Sequence, residues 1–270
     1  MAVFQGTFHS FALSKRTNVD VLLPTDAEPW MRRDNEHYNR PMKTLYLLHG
    51  YSDCSKDWLL KTDIAQIADR YNLAVVMPNG DNSFYLDRPA TGYAYCRFVG
   101  EELPDFMERT FGLSRKKEDV FIGGASMGGF GAEHTALMYP EQFCKALLFS
   151  PAVLIDQLAE ITEDGEGTGI ANYAYYLTTF GDLSRAKGSD ADPAYLIKKL
   201  KQEGKDWIPF YLTVGRDDFL IQNVHRLRDF LTEEHYPFVY QEEDGNHDWY
   251  YWNRHLEEAI RWMLDCGEQK

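Results

Sequence analysis

The chain has 270 residues, of which 44% are hydrophobic and 26% are charged, and its formal net charge is −14. This hydrophobic share is enough for a sizeable core and argues against a disordered chain. The negative charge argues against nucleic acid and anionic membranes as partners, because both require positive protein surface. No apolar run approaches the roughly 18 residues that a membrane-spanning helix needs.

The four cysteines are scattered along the chain, at Cys54, Cys96, Cys144 and Cys266. They form no C-x-x-C pair, so the sequence predicts neither a metal site nor a disulfide framework. The N-terminus carries no basic patch followed by an apolar core, which a signal peptide would have. Together these features indicate a cytoplasmic protein with reduced thiols.

Predicted strands and helices alternate along the chain. β-Branched and aromatic runs predict strands at 3–13, 17–23, 45–48, 73–77, 120–122, 146–149, 210–214 and 238–242. Helical spacing of apolar residues predicts helices at 57–71, 99–111, 132–139, 223–234 and 249–266. This alternation predicts an α/β fold over 1–270, in which a mostly parallel central sheet is covered by helices on both faces.

Two segments interrupt the alternation. Residues 24–43 are polar and contain three prolines, which predicts a surface loop. Residues 151–206 combine glycines with tyrosines and other aromatic residues. A long segment of this composition inside a single domain is a candidate lid-like insertion rather than a second core.

The most informative stretch lies between a predicted strand and a predicted helix. Val120–Ile122 reads as a buried strand, and Gly124-Ala125-Ser126-Met127-Gly128 matches the pattern G-x-S-x-G. A strand, this pattern and a helix together indicate a nucleophile elbow, a sharp turn that exposes the serine hydroxyl above the sheet. Ser126 is therefore the candidate nucleophile.

A serine nucleophile needs a base and an acid, which in this architecture follow it in the order acid, then histidine. The strand 210–214 is followed by Gly215-Arg216-Asp217-Asp218, and the strand 238–242 by a loop that contains His247. Loops at the carboxyl ends of strands are where such residues belong. We assign His247 as the base and Asp218 as the residue that orients it, with Asp217 as the alternative acid.

The tetrahedral intermediate also needs an oxyanion hole. One donor is the backbone N–H after the nucleophile, that of Met127. The second comes from a loop after an early strand, and Leu47-Leu48-His49-Gly50-Tyr51-Ser52 fits this description. Gly50 lets the backbone approach the substrate, and the N–H of Tyr51 is the predicted donor. His49 is expected to be a structural side chain.

These motifs in combination resemble those of the tributyrin-esterase branch of the esterase D-like α/β-hydrolases. The resemblance runs from about residue 40 to 263 and rests on Leu47-Leu48-His49-Gly50, Val75-Val76-Met77-Pro78-Asn79, Glu101-Glu102-Leu103-Pro104, Gly124–Gly131, Gly215–Leu220 and Gly245–Trp249. It implies hydrolysis of carboxylic esters with acetyl to butyryl groups, without a metal or organic cofactor. The family's nucleophile falls on Ser126, its acid on Asp218, its base on His247 and its oxyanion amides on Tyr51 and Met127.

The expected partner is a small-molecule ester. Aromatic residues that flank the catalytic loops or lie in the insertion predict a compact pocket for it, although core packing is an equally ordinary role for each. With Gly50, the predicted substrate-binding residues are Tyr93, Tyr176 and Trp249. Further candidates are Tyr51, Tyr95, Tyr173 and Tyr175. The 24–43 segment, longer than the resemblance leads us to expect, is a candidate cap over the site or a homo-oligomer contact.

Several other functions compete with this interpretation. Feruloyl (cinnamoyl) ester hydrolysis is the main alternative. S-formylglutathione hydrolysis is third, because those relatives usually carry a Gly-Leu-Thr-Cys loop where this chain has His-Gly-Tyr-Ser. A binding protein on an inactive hydrolase scaffold would normally lack the nucleophile or the base, and both are present. A lipase is disfavoured because 151–206 contains no strongly apolar helix.

Overall fold

The computed structural model describes residues 1–88, 90–165 and 170–265. The strands are β1 Ala2–Ser10, β2 Lys15–Leu23, β3 Lys43–Leu48, β4 Leu73–Pro78, β5 Asp87–Arg88, β6 Tyr93–Ala94, β7 Val120–Ala125, β8 Ala146–Phe149, β9 Phe210–Gly215 and β10 Phe238–Glu243. The α-helices are α1 Pro29–Arg32, α2 Asp57–Lys61, α3 Ile64–Arg70, α4 Tyr95–Arg97, α5 Leu103–Phe111, α6 Met127–Met138, α7 Ile155–Leu158, α8 Tyr173–Phe180, α9 Pro193–Glu203, α10 Ile221–Glu233 and α11 Trp249–Leu264.

Eight of the strands form one twisted sheet in the order β1-β2-β4-β3-β7-β8-β9-β10. β1 and β2 are antiparallel to each other, and β2 is antiparallel to β4. The remaining strands of this sheet, β4, β3, β7, β8, β9 and β10, are parallel. Every residue of β3, β4, β7 and β9 is buried, as expected for parallel strands covered on both faces. The predicted α/β-hydrolase fold is confirmed.

The helices cover the two faces of the sheet. Alternate residues of β3 belong to different core clusters: Tyr46 and Leu48 lie in one, Leu45 and Leu47 in the other. The first cluster includes residues of α5, α6, α9 and α10, and the second includes residues of α3 and α11. Since successive side chains of a strand point to opposite faces, these two helix groups lie on opposite sides of the sheet.

The register of the parallel strands brings their carboxyl ends to the same end of the sheet. Leu48 pairs with Gly124, Ala125 with Phe149, and Gly215 with Glu243. The loops that begin at His49, Ser126, Arg216 and Asp244 therefore start from the carboxyl-terminal end of the sheet. This is the end at which open α/β sheets place their binding sites.

Some predicted helices differ from the observed ones. The predicted 57–71 helix is interrupted at Thr62, which is extended and whose hydroxyl donates to the Trp58 carbonyl oxygen and accepts from the Ile64 N–H. Helix α6 begins at Met127, five residues before its predicted start, because the glycines after it are helical and not loop residues. The predicted 99–111 helix begins instead at Tyr95, through a π-helical turn over Phe98–Glu102 that joins α4 to α5. Helix α11 ends at Leu264, and Cys266 lies outside the described residues.

The 24–43 segment contains α1 and two 3-10 turns instead of the loop predicted throughout. The Asn72 side-chain amide donates to the His37 carbonyl oxygen, and the Tyr38 hydroxyl donates to the Asp69 carbonyl oxygen. These contacts lie where β4 begins. The segment therefore lies at the amino-terminal end of the parallel strands, opposite Ser126, and is not a cap over the site.

The insertion contributes to the main core. Tyr176, Leu183 and Ile197 belong to the same buried cluster as Phe130 of α6. Residues 166–169 of the insertion lie outside the described residues. Within the described ranges, no helix has both the length and the apolar character required to cross a bilayer.

Candidate active site

Ser126 lies at a strained turn between β7 and α6. Its φ and ψ are 56° and −119°, a region that non-glycine residues rarely adopt. The Ser126 N–H donates to the Phe149 carbonyl oxygen at 2.8 Å, and the Ser126 carbonyl oxygen accepts from the N–H groups of Phe130 and Ala152. A Cβ on Gly124 would overlap the Gly128 carbonyl, so only a residue without a side chain fits there. These contacts hold the serine side chain at the carboxyl-terminal end of the parallel strands.

A continuous hydrogen-bonded series joins Ser126 to His247 and Asp218. The distance from Ser126 Oγ to His247 Nε2 is 2.9 Å, and His247 Nδ1 lies 3.0 and 2.8 Å from the two carboxylate oxygens of Asp218. Since an ionised carboxylate only accepts, Nδ1 carries the proton and Nε2 is free to accept from the serine hydroxyl. The structure thus brings together the three residues predicted from the sequence.

Asp218 and its neighbour Asp217 have different surroundings. Asp218 is 2% exposed, and one of its oxygens also accepts the Leu220 N–H at 2.8 Å. Asp217 is exposed, and its backbone N–H donates to the Gly245 carbonyl oxygen. Of the two carboxylates, only that of Asp218 meets His247.

The loops after β9 and β10 pack closely, which brings the acid to the histidine. A Cβ on Gly215 would overlap the backbone of Gly245, so the absence of a side chain permits this approach. The Arg216 N–H also donates to the Glu243 carbonyl oxygen at 2.8 Å. The distance between the Asp218 and His247 side chains therefore depends on a backbone contact between two loops.

Two further aromatic rings contact His247, and neither is predicted from the sequence. The Phe219 ring lies 4.4 Å from the imidazole between centroids, and the Trp252 ring lies 5.1 Å from it at an interplanar angle of 87°. Phe219 is 62% exposed, whereas Trp252 is buried and donates its indole N–H to Ser150 Oγ. The position of Phe219 directly after the acid is the one sequence signal that could have identified it.

Two backbone N–H groups beside Ser126 are uncommitted. Those of Tyr51 and Met127 donate to no acceptor among the residues that the structure describes. Met127 is the first residue of α6, where the helix dipole favours negative charge. A Cβ placed on Gly50 would lie 3.6 Å from Ser126 Cβ, so the backbone before Tyr51 runs next to the serine.

The predicted substrate-binding residues do not all lie at the triad. Gly50 is adjacent to Ser126, and Trp249 packs against Trp252 at 5.1 Å, one ring removed from His247. Tyr93 packs instead near Tyr95, with the Lys15 ammonium over its ring.

Tyr176 is fully buried, so its ring is inaccessible to a substrate in this conformation. Its neighbour Tyr175 is the tyrosine of the insertion that reaches the Tyr51 ring, at 5.4 Å. The Tyr175 hydroxyl donates to the Asn82 carbonyl oxygen, and the Asn82 side chain accepts the Ser52 N–H. The insertion thus contacts the loop that carries Tyr51. Within the described part of the chain, no group of His, Cys, Asp or Glu side chains is arranged to hold a metal ion.

The fold is that of the α/β-hydrolase esterases. The sequence profile of the family described as "Putative esterase" matches residues 10–263. The chain therefore belongs to this esterase family and is a carboxylic ester hydrolase.

Individual relatives agree with this assignment. An acetyl esterase of Caldicellulosiruptor saccharolyticus is 41% identical over 268 residues, covering 99% of this chain and 100% of that protein. The fluorophosphonate-binding serine hydrolase FphF of Staphylococcus aureus is 32% identical, with a TM-score of 0.83 and 98% of each chain covered. The S-formylglutathione hydrolase FrmB of Staphylococcus aureus is 31% identical, with a TM-score of 0.82, covering 98% of this chain and 99% of that one.

Proposed function

We propose that the chain hydrolyses short-chain carboxylic esters through an acyl-enzyme on Ser126. The observation that carries this proposal is the hydrogen-bonded series from Ser126 Oγ through both nitrogens of His247 to Asp218. A serine at a strained strand-to-helix turn, next to an oriented imidazole, has the arrangement required of an activated nucleophile. The role of each residue follows from its position.

In the first half of the reaction, Ser126 Oγ attacks the ester carbonyl carbon while its proton passes to His247 Nε2. Asp218 stabilises the resulting imidazolium. The N–H groups of Tyr51 and Met127 donate to the oxyanion of the tetrahedral intermediate. The bond from the carbonyl carbon to the alkoxy oxygen then breaks, and the leaving alkoxide takes the proton from Nε2.

In the second half, water replaces the alcohol. His247 Nε2 accepts a proton from the water as the water oxygen attacks the acyl carbon. The second tetrahedral intermediate collapses by breaking its bond to Ser126 Oγ, which recovers the proton from Nε2. The carboxylic acid leaves and the free serine is restored, so this chemistry requires neither a metal nor an organic cofactor.

We propose acetyl to butyryl groups as the acyl range. The relative that is 41% identical is described as an acetyl esterase, which supports a small acyl group. Tyr51 and Tyr175, in edge contact beside the proposed oxyanion hole, limit the space on that side. Phe219, which contacts His247, also lines a cavity of about 490 Å³ with Leu154 and Gln157, and we propose this side of the site for the alcohol group.

A second candidate function is hydrolysis of S-formylglutathione. It is supported by the 31% identical hydrolase of that name, and formyl is smaller than the acyl groups proposed above. Feruloyl ester hydrolysis stays a prediction of the sequence. A cytoplasmic location and a homo-oligomer also stay predictions of the sequence.

Turnover of p-nitrophenyl acetate by Ser126→Ala tests the proposal. We expect kcat to fall by roughly 10³-fold or more with folding preserved, because no other group supplies the nucleophile. Ser184→Ala, at an exposed serine of the insertion, is the matched control and should retain native turnover. Near-native turnover by Ser126→Ala would rule out this mechanism.

A further inference from the structure

His49 occupies a buried position directly after β3 and is not part of the hydrogen-bonded series at Ser126. Its side chain is fully buried. Both ring nitrogens have backbone partners: Nε2 lies 2.8 Å from the Gly80 nitrogen, and Nδ1 lies 2.8 Å from the Gly50 carbonyl oxygen. The imidazole therefore bridges two loops, of which one carries the predicted oxyanion donor Tyr51.

These two partners define the tautomer of His49. The Gly80 N–H can only donate, so Nε2 must present its lone pair. The Gly50 carbonyl oxygen can only accept, so Nδ1 must carry the proton. The neutral Nδ1–H form is the one state that satisfies both contacts. Burial lowers the pKa of His49, which favours the same neutral form.

The contact with the Gly50 carbonyl bears on the Tyr51 N–H, since both belong to one peptide group. In a planar trans peptide the C=O and N–H bonds point to opposite sides. The Gly50 oxygen faces His49 and also accepts the Asp53 N–H at 3.3 Å. The Tyr51 N–H must then point away from His49, in a loop whose Gly50 lies next to Ser126.

This peptide needs a restraint because it follows a glycine. Glycine adopts a wide range of backbone angles, so the Gly50–Tyr51 peptide can rotate at low cost unless its oxygen is held. Tyr85 restrains His49 in turn. The Tyr85 ring packs edge-on to the His49 ring at 5.9 Å between centroids, and the Tyr85 hydroxyl donates to the His49 carbonyl oxygen. A fixed imidazole can therefore hold a flexible peptide in one orientation.

We propose that His49 is a positioning residue whose Nδ1–H holds the Gly50 carbonyl oxygen and thereby directs the Tyr51 N–H at the oxyanion. This inference rests on the proposed function, since it assumes an oxyanion at Ser126. His49 does not touch the substrate. Its effect is on the transition state, so its loss lowers kcat and leaves KM nearly unchanged.

Two variants each keep one of the two contacts. In His49→Asn the amide nitrogen takes the place of Nδ1 and still donates to the Gly50 oxygen, while the acceptor for the Gly80 N–H is lost. In His49→Gln the amide oxygen takes the place of Nε2 and still accepts from Gly80, while the Gly50 contact is lost. Each variant loses one hydrogen bond, so their unfolding midpoints should be similar.

Their kinetics should differ. We expect kcat on p-nitrophenyl acetate to fall by roughly 10²-fold in His49→Gln, the scale of one lost oxyanion donor, whereas His49→Asn retains most of it. A trifluoromethyl ketone, which forms a tetrahedral adduct with serine, should lose affinity in His49→Gln in parallel with kcat. If His49→Gln is as active as His49→Asn or more so, the proposal is wrong.

The wild-type protein provides a test that does not depend on how the variants fold. In ¹⁵N-labelled protein, Nδ1 of His49 should be the protonated nitrogen, and the Tyr51 amide proton should shift downfield when the trifluoromethyl ketone binds. A protonated Nε2, or an unchanged Tyr51 amide, would overturn the proposal. Ser126→Ala separates the two hypotheses, because an active Ser126→Ala refutes the acyl-enzyme itself, whatever the His49 variants show.

Discussion

Asp217 and Asp218 show how strongly position separates two identical side chains. Asp218 is buried and directs both oxygens at His247, whereas the neighbouring carboxylate is exposed. We expect Asp218→Asn to lower kcat by about 10³- to 10⁴-fold, because an amide does not hold the imidazole in the required tautomer. Asp217→Asn is the matched control and should change kcat little. Steady-state kinetics on p-nitrophenyl acetate decide this, and the reverse ranking would make Asp217 the acid.

Glu133 is a buried residue that the proposed reaction does not use. It lies in α6, is fully buried, and neither carboxylate oxygen has a hydrogen-bond partner in the described part of the chain. Burial raises the pKa of Glu133 from the ordinary 4.5 to about 8. The folded protein therefore keeps this proton over a pH range in which the unfolded chain has released it.

The sign of the pH effect follows from this difference. Because the folded state binds the Glu133 proton more tightly, the contribution of the group to stability declines as pH rises from about 4.5 to 8. Glu133→Gln removes this decline, so the variant should gain free energy of unfolding over the wild type as pH rises from about 5 to about 8. Urea unfolding at both pH values measures it, with the exposed Glu141→Gln as control. If Glu133→Gln and the wild type differ in free energy of unfolding by the same amount at both pH values, the buried carboxyl is not the source of the pH effect.

Among the elements, the loops after β9 and β10 depend on Gly215. A Cβ at this position would overlap the Gly245 backbone, so Gly215→Ala should push the two loops apart and lengthen the contact between Asp218 and His247. We expect kcat to fall on the order of 10²-fold, the cost of misplacing catalytic groups by about an ångström. Gly6→Ala is the control, since its Cβ would meet its nearest neighbour at 3.6 Å. Native kcat in folded Gly215→Ala would show that this approach is not required.

The sequence predicts strands and helices with regular apolar patterns better than those whose limits depend on side-chain hydrogen bonds. The strands β3, β4, β8 and β9 begin and end within two residues of their predicted limits, because their runs are largely apolar. Strand β7 extends three residues beyond its predicted end, through Gly123, Gly124 and Ala125. The break at Thr62 depends on a hydroxyl that bonds the helix backbone, and periodicity does not detect such a bond. The short β5–β6 pair has too few residues to show a pattern.

The residues of the candidate site also divide into those that the sequence identifies and those that it does not. Ser126, Asp218 and His247 are identifiable because each follows a strand in the order that a hydrolase requires. The insertion tyrosines are not, because the orientation of α8 decides that Tyr175 reaches Tyr51 while Tyr176 is buried. The bridge made by His49 also escapes the sequence, since Gly80 lies 31 residues away along the chain.

At the scale of the whole molecule, we propose that the insertion and the loop with Tyr51 together bound the space for the acyl group. Each additional methylene gains only about 0.8 kcal/mol even when it can be buried. We expect the Tyr51 and Tyr175 rings, which are in edge contact, to limit that burial, so kcat/KM should peak between acetyl and butyryl p-nitrophenyl esters and fall by octanoyl. Tyr175→Ala should move the peak to longer chains, whereas Tyr175→Phe keeps the ring and the profile. A wild-type peak at decanoyl would contradict the compact pocket.

The proposed mechanism requires a covalent acyl group on Ser126, which peptide mass spectrometry after acid quench can detect. The native protein is mixed with p-nitrophenyl butyrate, and a second sample is treated with a fluorophosphonate. We predict one butyryl group and one phosphonyl group, each on the peptide that contains Ser126, and neither adduct in Ser126→Ala. A modification on another residue, with none on the Ser126 peptide, would contradict the mechanism.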